Sequence, residues 1–361
     1  MSIATRLAGT QRRKPDEPGV PATPRRSHGV APPVDLGILR CPTTGQPLVA
    51  LDGRLACADG SAVYPVVEDV PVLINEGRSP FRIADYRSDS TRSPALSRVD
   101  RVLSRLPSMY LNLGTRENLE LLSDLVRSRS TGARRARILI VGGGTGGVGY
   151  EALIEDQRLE CIDTDISLGP RTQIICDGHD LPFQDGSFEG VVCQAVLEHV
   201  LDPVRVVNEI HRVLAPGGLV YSEVPFMQQV HGGAYDVTRF SLVGHRRLYR
   251  FFDEIKSGMQ GGPGMALGWS IWYFMRSTAR TRTGRGLAYV LASLTCSWLK
   301  YLDPWLSRRD AAVDAASGTF FLGRRREEPV SDAAVLASYH GAGSATYQAS
   351  GVAAVDGGIP D

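Results

Sequence analysis

The chain has 361 residues, of which 43% are hydrophobic and 22% charged, and its 40 Lys and Arg side chains nearly balance 39 Asp and Glu. This is the composition of an ordinary globular protein, and it excludes a collagen-like, a disulfide-stapled or a wholly disordered chain. A formal net charge of +1 provides no overall field that would attract nucleic acid or an anionic membrane, although the composition still allows local basic patches.

Cysteine usage points to a reducing compartment. Four of the six cysteines stand singly in apolar strand-like or helix-like stretches, namely Cys161, Cys176, Cys193 and Cys296. Isolated thiols of this kind do not form the disulfide framework of a secreted protein. We therefore expect the protein to lie in the cytoplasm.

Composition divides the chain into five parts. Residues 1–32 are rich in Arg and Pro and contain no apolar stretch of the kind that a signal peptide needs, so we expect a disordered basic arm. A compact module follows at 33–76 and a polar linker at 77–110. Residues 111–327 alternate between strand-like and helix-like segments, and 328–361, dominated by Ala, Gly and Ser, predict a disordered tail.

The module at 33–76 contains short strand-like pieces separated by Gly, Pro and Asp. Its Leu-x-x-Cys-Pro opening, its Pro-Leu step and its closing Pro-Val-Leu resemble the Trm112-like zinc ribbons. A zinc ribbon holds its metal with two Cys-x-x-Cys pairs, but Thr44 stands three residues after Cys41, and Gly60 three after Cys57. We therefore expect a degenerate ribbon without a metal. The alternative is that Cys41 and Cys57 bind a metal together with ligands from outside the module.

Beyond the linker, apolar periodicity predicts alternating helices and strands. A helix is predicted over 118–127, where leucines recur at helical spacing, and the apolar run 138–141 predicts the first strand. Further strands are predicted at 160–166, 173–176, 190–196, 219–224, 252–257 and 318–324. Near-continuous apolar strands that alternate with helices indicate a parallel sheet covered on both faces. The predicted fold class is α/β: a Rossmann-like, doubly wound and mostly parallel sheet with an antiparallel closing strand.

A glycine-rich turn follows the first of these strands. Gly142, Gly144 and Gly146 lie between a predicted strand and the following segment, where the absence of a Cβ lets the backbone approach a nucleotide closely. Asp163 and Asp165 lie near the spacing, about 20 residues, at which an acid binds a ribose. This pattern on its own allows either a dinucleotide or an adenosyl cofactor.

Four later sequence blocks distinguish between the two possible cofactors. They are DGHDLPF at 177–183, DGSFE at 185–189, CQAVLEHVLDP at 193–203 and EIHRVLAPGGLVYSEVPF at 209–226. Together with the glycine turn, they resemble the class I S-adenosylmethionine-dependent methyltransferases of the small-molecule type, over 111–326. The resemblance implies methyl transfer with S-adenosylmethionine as the cofactor.

The same resemblance implies which residues hold the cofactor. Asp165 would bind the ribose hydroxyls, Asp177 and His179 would flank the adenine, and Gln194 would lie where the fourth strand opens onto the cofactor. The methionine part would pass over the three glycines of the turn. One departure from the family is Ile140, which stands where an acidic residue is usual and predicts weaker cofactor binding. The alternative role for Asp165 and Asp177 is structural: they would cap turns or helices.

The predicted strand ends support this assignment independently. In an open parallel sheet, ligands collect beyond the carboxyl ends of the strands, at the point where the strand order reverses. Gly142, Asp165, Asp177, Gln194 and Pro225 each stand at or just after a predicted strand end. These residues are therefore expected to meet at one edge of the sheet.

The segment 225–241, PFMQQVHGGAYDVTRFS, is the candidate acceptor loop. If the methyl acceptor is a hydroxyl, His231 has a suitable pKa to take its proton, with Asp236 orienting or replacing it. Tyr235 and Arg239 are the candidate substrate contacts. The alternative is structural: an Asp236–Arg239 ion pair would tie the loop down, with His231 bonded to backbone. His199, in the LEHV block, is a weaker second base with a structural alternative.

An apolar insert is predicted at about 263–305, where two apolar segments flank the basic run RSTARTRTGR. In the second segment the apolar side chains share one helical face, formed by Leu287, Val290, Leu291, Leu294 and Trp298. The insert could form a lid over an apolar acceptor, lie on a membrane surface, or pack in the core or at a homodimer contact.

The sequence therefore predicts a cytoplasmic methyltransferase that acts on a small-molecule, glycan-linked or lipid-linked acceptor, with oxygen as the favoured target atom. Methylation of an RNA base is the first alternative, although a nucleic acid partner is not expected from a ribbon without a basic and aromatic strip. A cofactor-binding but inactive regulatory protein is the second, since Ile140 and the degenerate ribbon both depart from their families.

Overall fold

The computed structural model describes residues 34–86, 106–129 and 134–342. They fall into two compact units. The first contains the described residues of 1–96 and 115–222 together with 231–238, and the second contains those of 97–114 and 239–361 together with 223–230. The predicted arm at 1–32 lies outside the described residues, as do 87–105 of the predicted linker.

The chain contains twelve strands within its described part. Their bounds are β1 Leu48–Leu51, β2 Arg54–Cys57, β3 Val63–Tyr64, β4 Val66–Val67, β5 Val70–Leu73, β6 Ala136–Val141, β7 Leu159–Asp165, β8 Ile174–Cys176, β9 Phe188–Gln194, β10 Leu214–Pro225, β11 Phe252–Gly261 and β12 Gly318–Arg325. Each strand predicted after the linker is found, with ends that differ by a few residues.

Eight α-helices accompany these strands in the described ranges. Their bounds are α1 Thr115–Arg127, α2 Glu151–Ile154, α3 Pro203–Val213, α4 Leu242–Leu248, α5 Pro263–Thr278, α6 Arg282–Cys296, α7 Asp303–Leu306 and α8 Asp332–Ala337. Short 3₁₀ turns lie at Leu36–Ile38, Ile83–Asp85, Gly233–Tyr235, Ser297–Leu302 and Asp310–Ala315.

A mostly parallel sheet forms the centre of the first unit, with its strands in the order β10-β9-β6-β7-β8-β5-β4. Strands β6, β7, β8 and β9 pair in parallel, and Ile138, Leu139 and Ile140 of β6 are fully buried. Burial on both faces explains why residues 138–141 are continuously apolar. The predicted α/β fold class is confirmed.

The connection between β7 and β8 is unusually short for parallel neighbours. Residues 166–173, all within the described part of the chain, form no helix, although a parallel crossover normally needs a dozen or more residues and carries one. Side chains of the N-terminal module and of the segment that follows it pack against this connection instead. Val72 and Tyr86 belong to a buried apolar cluster with Ile175, against which Ile166 and Leu168 pack.

The N-terminal module is joined to this sheet. β1, β2 and β3 form a separate three-stranded antiparallel sheet, but β5 pairs in parallel with β8, with Val72 opposite Ile175. β4 then pairs antiparallel with β5 at the edge. The sequence suggested a separate module, whereas the structure builds its last two strands into the main sheet of the first unit.

Inside the module, hydroxyl groups lie beside its two cysteines, Cys41 and Cys57. The Sγ of buried Cys41 lies 3.2 Å from the hydroxyl of Tyr64, and the Thr44 hydroxyl lies 3.6 Å from the Sγ of Cys57. Burial raises the pKa of the Cys41 thiol, but hydrogen bonding with Cys57, Thr44 and Tyr64 outweighs it and lowers that pKa to about 7. Thr44 thus stands beside the sulfur atoms, at the position where a zinc ribbon has a third thiolate.

The second unit contains an antiparallel pair of strands and the apolar insert. β11 and β12 pair antiparallel, with Ser257 opposite Phe321, so the predicted antiparallel strand is present. Helices α5, α6 and α7 form the insert. Within the described residues, no helix is both long enough and apolar enough to cross a bilayer.

Helix α6 directs its small residues inward. Ala288, Ala292 and Ser293 are buried, whereas Leu287 and Leu294 are 66% and 61% exposed. The face that periodicity identifies as apolar therefore points mostly to the surface. Packing of this face in the core, one of the roles expected from the sequence, is not what the structure shows.

The beginning of the predicted tail is ordered. Helix α8 lies within it, and Ser331 caps this helix by accepting a hydrogen bond from the backbone of Ala334. The expectation of a structureless tail is therefore wrong for this segment; residues 343–361 lie outside the described part.

Candidate active site

The structure brings the predicted cofactor residues to one edge of the sheet. The strand order reverses at β6, since β7 and β8 lie on one side of it and β9 and β10 on the other. Gly142 follows β6, Asp165 ends β7, Asp177 follows β8 and Gln194 ends β9. This is the edge where parallel sheets of this kind bind ligands.

The glycine turn needs glycine at two positions for its backbone. Gly142 and Gly146 have φ angles of +75° and +81°, which residues with a Cβ rarely adopt. A Cβ on Gly142 would also collide with Cγ2 of Val196. The turns that follow β6 and β9 therefore pack directly against each other.

Asp165 is bonded to the glycine turn. Its carboxylate accepts hydrogen bonds from the backbone of Gly144 at 3.1 Å, and from the backbone and hydroxyl of Ser167 at 2.8 and 2.7 Å. Burial raises the pKa of Asp165, and the bonds from Ser167 and Gly144 oppose this. The half-buried carboxylate is therefore held in one orientation beside the turn.

Asp163, the other acid near the ribose spacing, has a different partner. Arg171 donates to both of its oxygens, at 3.2 and 2.7 Å, and both side chains are buried. Arg171 also donates its backbone N–H to the carbonyl of Gly144. Sequence reasoning missed Arg171, which joins the short 166–173 connection to the glycine turn and occupies both oxygens of Asp163.

Asp177 and His179 form a buried pair at the end of β8. His179 Nδ1 lies 2.6 Å from Asp177, and its Nε2 accepts a bond from the backbone of Asp202. Ser79, in the segment that directly follows the N-terminal module, donates to the other oxygen of Asp177 at 2.6 Å. Burial works to raise the pKa of Asp177, but the bonds from His179 and Ser79 outweigh it and lower that pKa. Sequence reasoning missed Ser79.

Gln194 closes the other side of the glycine turn. Its side-chain amide donates to the carbonyl of Val148 at 3.4 Å, and a Cβ on Gly147 would collide with its Oε1. The next residue, Ala195, has a positive φ of 53°. Such strained backbone in a residue with a Cβ is common at functional sites.

Asp236 organises the candidate acceptor loop. Its side chain is fully buried and accepts hydrogen bonds from the backbone of His231 at 2.6 Å and of Gly232 at 3.2 Å. The same carboxylate lies 3.2 Å from Nδ1 of His231. The pairing of Asp236 with His231 is therefore present, and it fixes the orientation of the imidazole ring.

The two predicted substrate contacts lie in different units. In the first unit, Tyr235 stacks against Phe81 with ring centroids 6.1 Å apart. In the second, Arg239 donates to the carbonyls of Gln228 and Gln229 at 2.9 and 3.2 Å.

Glu198 is a site residue that sequence reasoning missed. Its side chain is 1% exposed, and its Oε1 lies 3.8 Å from Nε2 of His199 and 3.9 Å from Nε2 of His231. The rings of the two histidines are 5.1 Å apart. The signal was present in the LEHV block, where Glu198 directly precedes His199, but only folding brings His231 to the same place.

The chain resembles known methyltransferases. A methyltransferase domain family matches residues 140–222. An uncharacterized methyltransferase of Mycobacterium sp. (strain JLS) is 30% identical over 182 residues, which cover 44% of this chain and 69% of that protein. A ubiquinone biosynthesis O-methyltransferase of Xanthomonas oryzae pv. oryzae (strain PXO99A) is 34% identical over 70 residues, 19% of this chain and 28% of that protein.

Among solved structures, a putative sarcosine dimethylglycine methyltransferase from Galdieria sulphuraria is similar, with 13% identity, 58% of this chain and 86% of that chain covered, and a TM-score of 0.37. That TM-score is too low to bear on fold or function. The similarity to the Mycobacterium protein, the matched domain and the glycine turn at the strand-order reversal show together that the chain belongs to the class I S-adenosylmethionine-dependent methyltransferases and uses S-adenosylmethionine as its cofactor.

Proposed function

We propose that S-adenosylmethionine lies along the edge formed by the ends of β6, β7, β8 and β9. Gly142, Gly144 and Gly146 would lie beneath its methionine part, and Asp165 would accept bonds from the ribose hydroxyls. Gln194 would border the sulfur side. The meeting of these residues at the strand-order reversal supports this assignment.

The chemistry of the residues fits this cofactor. The Gly144 position has no room for a side chain, because a Cβ there would lie 2.8 Å from both Asp165 Oδ2 and Thr172 Oγ1. Glycine is therefore required here by the packing of the turn against Asp165 and Thr172. The Asp165 carboxylate offers acceptors to a diol, and three internal hydrogen bonds already orient it. Buried, apolar Ile140 supplies no carboxylate, which is consistent with weaker binding.

On the adenine side, we assign the role to Asp177 and His179. Both ring nitrogens of His179 are bonded inside the protein, so this side chain would contact the adenine by van der Waals packing rather than by hydrogen bonds. The bond from Ser79 to Asp177 brings the segment after the N-terminal module into the same wall, and β5 of the module pairs with β8, directly before Asp177. We therefore assign the Trm112-like module a supporting role: it stabilises the adenine side of the cofactor site.

For catalysis we propose methyl transfer to oxygen, with His231 as the base. S-adenosylmethionine supplies an electrophilic methyl group on a sulfonium. Transfer breaks the sulfur–carbon bond, forms an oxygen–carbon bond and moves the acceptor proton to Nε2 of His231. The single observation that carries this role is the 3.2 Å contact between Asp236 and Nδ1 of His231, because a carboxylate there places the ring proton on Nδ1 and leaves Nε2 as the basic nitrogen.

The acceptor that we favour is a small molecule carrying an apolar or lipid-linked group. The surface of the insert supports this: Phe274, Leu291 and Trp298 are all exposed, and four exposed arginines lie at the end of α5, between the helices and at the start of α6, namely Arg276, Arg280, Arg282 and Arg285. Apolar side chains beside cations are typical of helices that lie on anionic membrane surfaces. A homodimer contact would cover the same residues.

Sedimentation with vesicles tests this contact. The wild-type protein should bind vesicles that contain phosphatidylglycerol more than vesicles of phosphatidylcholine alone. The double change Leu291→Gln and Leu294→Gln should reduce binding, and Leu336→Gln, at a residue that is 62% exposed on α8, is the control. Equal binding by all three proteins would exclude the proposed surface, and a dimer seen by light scattering would assign it to self-association.

Calorimetry tests the cofactor site. S-adenosylmethionine and S-adenosylhomocysteine should bind, while NADH and NADPH should not, and Asp165→Ala should weaken binding by at least about tenfold, equivalent to roughly 1.4 kcal/mol. Unchanged affinity in Asp165→Ala would remove it from the ribose site. Failure of turnover with every hydroxylated acceptor, despite cofactor binding, would favour the regulatory alternative. We also propose a cytoplasmic location, which this cofactor and the free cysteines support and which fractionation of cells checks.

A further inference from the structure

Three potential metal ligands converge in the first unit. One ligand atom from each of Glu198, His199 and His231 lies within 4.8 Å of the other two. Glu198 is buried at the centre, and Nε2 of each histidine points toward its Oε1. Two imidazoles and one carboxylate are a common ligand set for divalent transition metals.

The outer nitrogens of both rings are engaged by hydrogen-bond acceptors. His199 Nδ1 lies 2.9 Å from the carbonyl oxygen of Tyr235, and His231 Nδ1 lies 3.2 Å from Asp236. An acceptor at Nδ1 holds the proton there and directs the Nε2 lone pair to the other side. Histidines that bind metals are held in this way by a carbonyl or a carboxylate.

The inner atoms of the three side chains are potential ligands that a cation between them would stabilise. Two imidazole lone pairs facing one buried carboxylate oxygen are mutually repulsive unless protons or a cation occupy the space. The separations of 3.8 and 3.9 Å are too long for hydrogen bonds. Ligands about 2.1 Å from a zinc ion are roughly 3–3.5 Å apart, so the ligand atoms, which lie within 4.8 Å of one another, must draw closer together to coordinate a metal.

The loop that carries His231 is fastened to the other two ligands. Val237 and Thr238 donate their backbone N–H groups to the carbonyl of Glu198, at 2.7 and 3.3 Å. A Cβ on Gly232 would lie 2.7 Å from the ring of His199, so this glycine lets the loop approach the ring. The ligands are thus held in place by packing and by backbone hydrogen bonds, as a preorganised site requires.

We propose that Glu198, His199 and His231 bind a divalent transition metal ion such as Zn²⁺. Three protein ligands leave a coordination position for an acceptor oxygen, whose pKa the metal would lower. Binding of the metal does not depend on the proposed methyl transfer. Only its use in activating an acceptor rests on that function, and His231 would then act as a ligand rather than as the base.

Calorimetry on the full chain, stripped with EDTA and titrated separately with ZnCl₂, MnCl₂ and MgCl₂, tests the proposal. One Zn²⁺ per chain should bind, and Mg²⁺ should bind far more weakly. His199→Ala and the isosteric Glu198→Gln should each weaken Zn²⁺ binding more than about tenfold, and Asp236→Asn by about 10–100-fold. His340→Ala, at an exposed histidine, should have no effect.

The N-terminal cysteines require their own control. The double change Cys41→Ser and Cys57→Ser should leave the zinc stoichiometry intact, and a Co²⁺-loaded protein should show no thiolate-to-metal charge-transfer band. Circular dichroism confirms that each variant is folded. No Zn²⁺ binding by the folded wild type, binding unchanged in Glu198→Gln, loss of binding in the cysteine variant, or a preference for Mg²⁺ would each overturn the proposal. The calorimetric titration measures metal binding independently of methyl transfer, so it needs no methyl acceptor.

Discussion

Gly169 lies against the backbone of Gly144 so closely that a Cβ on Gly169 would collide with the carbonyl oxygen and carbon of Gly144. The short connection after β7 is therefore pressed onto the glycine turn, where a class I methyltransferase would be expected to have a helix. The buried pair Arg171–Asp163 holds it there. The proposed cofactor site thus lies beside a segment that carries no helix of its own and packs against Val72 of the N-terminal module and Tyr86.

Gly169→Ala should weaken both the fold and the cofactor site. Because the atoms that the new Cβ meets belong to backbone, they cannot move aside cheaply, and we expect a loss of roughly 1–3 kcal/mol in the free energy of unfolding. Urea unfolding and calorimetry with S-adenosylhomocysteine measure the two effects. Gly286→Ala is the control, since its Cβ would enter open space on α6 and should stabilise by up to about 1 kcal/mol. Equal stability of the two variants would contradict the packing described.

Val72→Ala should show that the N-terminal module supports the catalytic sheet. Val72 is fully buried between the module and Ile175, and removing two methyl groups there should cost roughly 1–3 kcal/mol. Val63→Ala, at a position that is 45% exposed in the same module, is the matched control and should change stability by less than about 0.5 kcal/mol. A module that unfolds independently, while the remaining transition keeps its midpoint, would contradict this role.

The strands could be predicted from the sequence because the sheet is buried on both faces. The run from Ile138 to Val141 is apolar at every position, which predicted a buried strand, whereas its central place in the sheet came from the structure. Asp165 could be found by spacing from the glycine turn. Asp163 satisfied the spacing equally well, and only its ion pair with Arg171 distinguishes the two acids.

Long-range relationships could not be predicted in this way. Periodicity shows which residues of α6 share a face, but not whether other elements cover that face, so the exposure of Leu287 was not foreseen. The pairing of Val72 with Ile175 joins residues about a hundred positions apart and leaves no local pattern. Glu198 and His231 likewise meet only after folding.

His245 should make stability dependent on pH. It is fully buried in the second unit, 3.1 Å from the hydroxyl of Thr319, and burial, together with Arg246, lowers its pKa from 6.5 to about 3. The folded state therefore favours the neutral ring. Its contribution is complete above pH 6.5 and is lost as the pH falls toward 3, at about 1.4 kcal/mol per pH unit.

Urea unfolding at pH 7 and pH 5 checks this linkage. The wild type should lose about 2 kcal/mol from this group between pH 6.5 and 5, and His245→Asn should be less stable at pH 7 but show a smaller difference between the two pH values. The comparison of slopes isolates His245 from the carboxylates that titrate over the same range. Parallel slopes in the two proteins would show that the ring is protonated without cost, contrary to its burial.

His199→Ala and His231→Ala should separate the two roles proposed for the acceptor site. If His231 acts as a base without a metal, His199→Ala should retain most turnover, because His199 then supports the loop through the Tyr235 carbonyl and the His231 ring but takes no proton. If a metal activates the acceptor, both changes abolish metal-stimulated turnover to a similar extent, since each removes one ligand. In either case the affinity for S-adenosylhomocysteine should stay within about twofold of the wild type, because neither ring is among the proposed cofactor contacts. Loss of such a contact would instead weaken binding by about tenfold, or roughly 1.4 kcal/mol. Turnover by His231→Ala at the wild-type rate, with and without Zn²⁺, would remove the residue from both mechanisms and leave Asp236 with the structural role of capping the loop.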